Sequence, residues 1–240
     1  MEFAPHNLLG PDLMAGLRAG LAEAGGCGAR AVLLKSGLRH FSAGADTSLF
    51  FGAAQGAEGL SVSPLAFLRE LESFPLPIVV AIQGVCIGGG LELALACDFI
   101  LAARSAKLGS IEVTIGINPL MGAIQRQVQR AGIARAKEMS MLGRRYDAET
   151  LERWNIINRV VDDEKLDAAA MAVALELANG PTLAHSITKQ IAHLAAAHGV
   201  EAADEAMAQL QLPLWQSEDL RIGLESLQKN GPGLAVFKGR

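Results

Sequence analysis

The chain has 240 residues, 50% hydrophobic but only 5% aromatic, with a formal net charge of −4. That length buries a large core as one domain, or as one domain with a small appendage. The charge balance, without a basic block or an aromatic-rich basic stripe, argues against a nucleic-acid partner.

Met1 to Gly10 has neither a basic n-region nor an apolar h-region and reads as no signal peptide. A helix is predicted over about 11–24, with Pro11 in its first turn, where a missing N–H costs nothing. Ala31-Val32-Leu33-Leu34 is a short apolar run suited to a buried strand. A second helix is expected over about 64–73, Pro64 following Ser63 as a candidate N-cap. Ile78–Ile82 and Asp98–Ala102 are further strand candidates, continuous enough to be buried on both faces. A helix over about 89–97 lies between them, and the alternation indicates an α/β core.

After Pro119 the pattern becomes helical: about 121–131, 133–142, 147–154, 164–178, 181–197, and 200–228 with a break near Pro213. One strand, Ile156 to Val161, interrupts it. Gly180-Pro181 ends one helix and starts another, which places a soft boundary there: an α/β core over 1–180 and a helical region over 181–240. The Ala-rich helices after the boundary would cover another surface, of this chain or of a neighbouring subunit. Apolar runs are broken before 18 residues, so no membrane span is expected. Cys27, Cys86 and Cys97 form no CxxC pair, and the odd count fits a reducing cytoplasm.

Chemistry is suggested first by Gly84-Val85-Cys86-Ile87-Gly88-Gly89-Gly90-Leu91-Glu92. A strand ends, three glycines follow and a helix begins, so a ligand can approach bare N–H groups at a positive helix terminus. No Gly-Lys-Ser/Thr follows and the GxGxxG spacing is absent, which disfavours a nucleotide-phosphate loop. Close helix–strand packing explains the glycines equally well. Phe41-Ser42-Ala43-Gly44-Ala45-Asp46 is a second Gly-bearing loop. Ser42 is a poor nucleophile elbow because His40 replaces the first glycine of GxSxG, and Asp46 reads as a turn or capping aspartate.

Glu92 falls in the first turn of the Gly-rich helix, a common place for a dipole-stabilised carboxylate. Glu112 lies in an expected short extended piece, Lys107 to Val113, and an ion pair with Arg126 or Arg130 would account for it. Near an N–H-rich helix start, however, two carboxyl groups can hold one water between them. A shared apolar site then raises one pKa and yields an acid and a base.

These segments together resemble the enoyl-CoA hydratase/isomerase (crotonase) family. Phe41–Asp46 resembles its first oxyanion-hole segment. Pro77–Gly84 with Gly88–Ala94 and Cys97-Asp98 resembles the second. Leu108–Glu112, Gly116–Pro119 and Gln125-Arg126 resemble the segment bearing the second acid. Ser217–Asp219, Gly223 and Phe237–Arg240 resemble the C-terminal helix and tail.

The resemblance implies an α/β, crotonase-like spiral of ββα units with a helical C-terminal region, assembled as a homotrimer or homohexamer. It implies an acyl-coenzyme-A substrate without metal or other cofactor, its thioester oxygen held by the N–H groups of Ala45 and Gly89. Ala43, Gly44, Ala45, Asp46, Thr47, Ser48, Gly88 and Gly89 would line the CoA. Glu92 would activate water for attack at C3 and Glu112 would exchange the C2 proton. Double-bond isomerisation or other enolate chemistry, and a non-catalytic binding role, are the alternative functions.

The sequence departs from the family pattern at Ile111, where proline is usual, and at Leu120, Met121 and Ala123 in a loop that normally reads Pro-Gly-x-Gly-Gly. Bulk at Leu120 and Met121 is expected to reshape the acyl pocket. By the same pattern, an opening β-hairpin of roughly 15–20 residues is missing before Pro5.

The five histidines show no metal-ligand spacing. His185 and Lys189 read as solvated neighbours on one helix face, Cys86 and Cys97 as small core residues, and Trp154 and Trp215 as packing anchors. Lys238 and Arg240 form a basic tail within possible reach of a CoA phosphate.

Overall fold

The computed structural model describes residues 1–48, 50 and 64–240. In chain order the first half comprises α1 (Pro11–Gly26), β1 (Val32–Lys35), α2 (Pro64–Ser73), β2 (Ile78–Ile82), β3 (Val85–Ile87), α3 (Gly89–Leu95), β4 (Phe99–Ala103) and β5 (Lys107–Gly109). A 3-10 turn over Glu112–Ile115 leads to α4 (Ala123–Leu142), β6 (Tyr146–Asp147), α5 (Ala148–Arg153) and β7 (Arg159–Val161). The rest is helical: α6 (Leu166–Asn179), α7 (Thr182–His198), α8 (Val200–Leu210), α9 (Leu212–Trp215) and α10 (Glu218–Asn230). Ser63, the expected cap of α2, lies outside the described residues.

β1, β2, β4 and β7 form a parallel sheet in that order. All five residues of β2 are buried, which explains its unbroken Ile-Val-Val-Ala-Ile sequence. A second sheet carries β3, β5 and β6, with β3 and β5 parallel and β6 antiparallel. The chain steps from one sheet to the other twice. From β2 it turns at Gly84, in the left-handed region at φ 62°, into β3; from β4 it passes through residues 104–106 into β5. Strand, strand and helix thus recur as the ββα unit that the resemblance implied, followed by a helical C-terminal region.

The sequence reading did not anticipate β3 or β6, and β5 is only the first three residues of the extended piece expected over Lys107 to Val113. Each is only two or three residues long, too short for a period of two to register. The two helices expected on either side of residue 132 are both present within α4, separated at Gly132, whose φ of 79° and ψ of 166° are not helical.

Several side chains fasten the helical region to the core. Lys189 is no solvated residue: its ammonium pairs with Asp98 at 2.8 Å, and Asp98 also accepts the Ile78 N–H at 2.8 Å. Its neighbour His185 packs against Gly180 with a buried, unpartnered Nε2. Arg30 donates to Thr182 Oγ1 and to the Phe237 carbonyl, each at 3.0 Å. The buried Asp219 carboxylate accepts the Lys238 and Gly239 N–H groups, while the Lys238 and Arg240 side chains pair with Glu218.

Trp154 packs as expected, against Tyr146 and under the Arg135 guanidinium. Trp215 does not, being 69% exposed within the chain. Cys86 and Cys97 are buried. Among the described residues no helix is long and apolar enough to cross a membrane.

Candidate active site

The register of the second sheet builds the site. Ile87 on β3 pairs with Gly109 on β5, and the Gly88 N–H donates to the Gly109 carbonyl at 2.9 Å. Both strands therefore end at the same level. The chain after β3 enters α3, which carries Glu92, and the chain after β5 enters the 3-10 turn, which carries Glu112. A Cβ placed on Gly88 would lie 3.5 Å from Glu112 Oε1. Glu112 is thus not on an extended piece: Ile111 has already left the strand conformation, at φ −106° and ψ 3°, and Gly116 ends the turn in the left-handed region at φ 81°.

The loop over residues 41–46 reaches this point through Asn7, a residue the sequence reading passed over. Fully buried Asn7 donates to Ser36 Oγ and to the Phe41 carbonyl and accepts the Phe3 N–H. Ser42 Oγ donates to the Asn7 carbonyl at 2.7 Å and accepts the Gly44 N–H, a structural role unlike that of a nucleophile.

Leu9 makes a parallel bridge to Ala45: its N–H donates to the Gly44 carbonyl and its carbonyl accepts the Asp46 N–H. Alternation along an extended chain then turns the intervening Ala45 N–H away from Leu9. Among the described residues neither the Ala45 nor the Gly89 N–H has a main-chain acceptor. The second is the first residue of α3, where intrahelical acceptors are lacking. The two groups are close, since a Cβ on Gly89 would sit 3.3 Å from the Ala45 nitrogen. Gly90 is required for packing: a Cβ there would lie 2.5 Å from Ser42 Cβ.

Glu92 is 2% exposed, and its Oε1 accepts the Met121 N–H at 2.8 Å and the Ala123 N–H at 3.1 Å. Burial dominates these two bonds, with Glu112 adding repulsion, and the Glu92 pKa is pushed up to about 7. Both carboxyl oxygens of Glu112 are buried without a partner, and burial raises its pKa as well. The ion pair considered for Glu112 does not form. Arg126 is taken by Glu72, and Arg130 donates to the Ile156 and Cys97 carbonyls.

A cavity of about 160 Å³ joins these groups. Ala43, Gly44, Ala45, Thr47, Gly88, Gly89, Glu92 and Glu112 all face it. Asp46 and Ser48 do not: Asp46 Oδ1 caps its own loop by accepting the Ser48 N–H at 2.9 Å, the turn role expected of that aspartate. Apolar walls come from Leu9, Met14, Ile111, Ile117, Leu120 and Met121, so the departures at 111, 120 and 121 fall on the lining. Two raised carboxyl pKa values, a pair of free amides and an apolar wall suit proton transfer beside a polarised carbonyl. No cluster of metal-ligating side chains occurs among the described residues.

Comparison with known proteins identifies the family. The sequence profile of the enoyl-CoA hydratase/isomerase family matches residues 3–233. The chain belongs to that family. Carnitinyl-CoA dehydratase of Citrobacter koseri is 39% identical over 164 residues, an alignment covering 67% of this chain and 62% of that relative. The chain thus spans less than two thirds of the length of the curated relatives it matches.

Among solved structures, an enoyl-CoA hydratase from Bacillus anthracis superposes with a TM-score of 0.87 at 28% identity, covering 98% of this chain and 92% of that one. An enoyl-CoA hydratase from Polaromonas gives a TM-score of 0.88 at 22% identity over 96% of this chain and 93% of that one, a likeness of fold alone. The crotonase fold expected from the sequence is therefore the fold of this chain.

Proposed function

We propose that this crotonase-family chain adds water to a trans-2-enoyl-CoA, giving a 3-hydroxyacyl-CoA. The observation that carries the reading is the convergence of Glu92 and Glu112 on one apolar cavity beside the unpaired N–H groups of Ala45 and Gly89. In this reading the two amides take the thioester oxygen, and each contributes about 3 kcal/mol as negative charge develops there. Glu92, anchored through one oxygen, removes a proton from water as its oxygen bonds to C3. Glu112 enters protonated and delivers its proton to C2, so one proton is taken and one given. Proton passage between the two carboxyl groups restores the starting state. Burial raises both carboxyl groups, which in this reading lets one serve as base while the other holds its proton.

In the same reading the CoA moiety lies along Ala43, Gly44, Ala45, Thr47, Gly88 and Gly89, which face the cavity. Exposed Leu212, Trp215, Leu224 and Leu227 on the C-terminal helices support assembly with further copies, as the homotrimer or homohexamer expected from the sequence, in the cytoplasm.

The test is loss of the enoyl thioester absorbance when purified protein meets crotonyl-CoA. Hydration should be detectable and should fall by about 10²-fold or more in both Glu92→Gln and Glu112→Gln. If both variants retain the wild-type rate, the two-carboxyl mechanism is wrong. Isomerisation is the rival. Conversion of 3-enoyl-CoA to 2-enoyl-CoA that survives Glu92→Gln but not Glu112→Gln would favour it.

A further inference from the structure

The loop that anchors Glu92 is itself held from its other side. Arg126, on α4, forms a bidentate pair with Glu72 of α2, with Nε to Oε1 at 2.7 Å and Nη2 to Oε2 at 2.6 Å. Its remaining Nη1 donates to the Met121 carbonyl at 3.3 Å and the Gly122 carbonyl at 3.0 Å. One peptide unit is decisive: the Gly122 carbonyl accepts from Arg126, and the N–H of the same unit, on Ala123, donates to Glu92 Oε1 at 3.1 Å. Guanidinium, peptide dipole and carboxyl group lie head to tail, so each bond polarises the next.

The conformation that allows this needs glycine. Gly122 has φ 99°, and a Cβ there would collide with Arg126 Nη1. The Arg126 side chain is only 9% exposed, so solvent screens it little.

We infer that Arg126 is a positioning residue for Glu92: through the Gly122–Ala123 peptide it fixes the base and favours its charged form against the effect of burial, with Glu72 moderating the guanidinium charge. This rests on the reading of Glu92 as the base. The charged groups facing Glu92 are Glu112 from the 3-10 turn and Arg126 from α4, backed by Glu72 from α2. β3, which packs against α3, carries only Val85, Cys86 and Ile87.

Two readouts test the inference, one of them independent of turnover. The first is the pH midpoint of the Glu92 carboxyl group, followed by infrared difference spectroscopy and assigned by its absence in Glu92→Gln. Arg126→Met should raise the midpoint, Arg126→Lys should leave it near the wild type, and Glu72→Gln should lower it by freeing the guanidinium charge. The opposite signs of Arg126→Met and Glu72→Gln are the distinguishing result. A purely structural brace would loosen the loop in both variants and move both midpoints upward, which would overturn the inference, as would no movement in either.

The second readout is crotonyl-CoA hydration. Arg126→Met should lose about tenfold in kcat with little change in KM, less than the loss of Glu92 itself, and Arg126→Lys should recover part of it. Inactivity of the wild type would refute the hydratase reading alone, because the titration still decides the role of Arg126. If Arg126→Met does not fold, the directions found for Arg126→Lys and Glu72→Gln decide it.

Discussion

Replacing Glu92 with glutamine should stabilise the protein progressively as pH rises from about 4.5 to about 7, with the full gain above that. The buried carboxyl group ionises near 7 instead of the ordinary 4.5, so between those values the folded chain binds more protons than the unfolded one. Its contribution to stability is therefore complete below about pH 4.5 and is lost as pH rises to about 7. At roughly 1.4 kcal/mol per pH unit, that interval corresponds to about 3 kcal/mol as an upper figure. Glutamine keeps a carbonyl oxygen to accept the Met121 and Ala123 N–H groups and carries no charge to bury. Urea unfolding of both proteins at matched concentration should show similar stabilities at pH 4, below the ordinary carboxyl value. At pH 8 the variant should be more stable by as much as about 3 kcal/mol. A difference that is the same at both pH values, or a variant less stable at pH 8, would refute the claim that ionised Glu92 is held at a cost.

Other consequences are open to measurement. If Glu92 is the base, kcat/KM for enoyl-CoA hydration should rise with pH through about 7, where this group deprotonates; a profile flat from pH 5 to 8 would count against it. Gly89→Ala should leave the circular dichroism spectrum unchanged yet lower kcat/KM by about 10²-fold, since its Cβ would stand 3.3 Å from the Ala45 nitrogen and crowd the two donors. Asn7→Ala should cost about 3 kcal/mol in denaturant unfolding by leaving several buried partners unsatisfied; an unchanged midpoint would show that water replaces the side chain.

Much of this was legible in the sequence because the signals were long or chemically distinctive. β2 announced itself by five consecutive apolar residues, and the Gly88–Glu92 run by glycines followed by an acid at the start of a helix. The two glycine-bearing segments are recognisable only as a pair, and their meeting depends on β3 and β5, strands of only three residues each. Glu112 was misplaced on a strand for the same reason: nothing before the Gly116 turn marks where the extended chain ends.

Lys189 looked solvated because its partner Asp98 is 91 residues away in sequence. Asn7 acts through the Phe41 carbonyl, 34 residues on, and Arg126 through the Met121 and Gly122 carbonyls just before it; a contact with a carbonyl or an amide leaves no complementary residue type to find. Trp215 shows the converse. An aromatic side chain was assumed to pack within the chain, but its exposed position suits a surface that further copies would cover.

The most direct test of the account is a crystal structure of the protein with acetoacetyl-CoA, a stable thioester. The account predicts the thioester oxygen within about 3 Å of both the Ala45 and Gly89 nitrogens, with the Glu92 and Glu112 carboxyl groups on either side of the acyl carbons. A thioester oxygen bound elsewhere, or either carboxyl group turned out of that cavity, would contradict it.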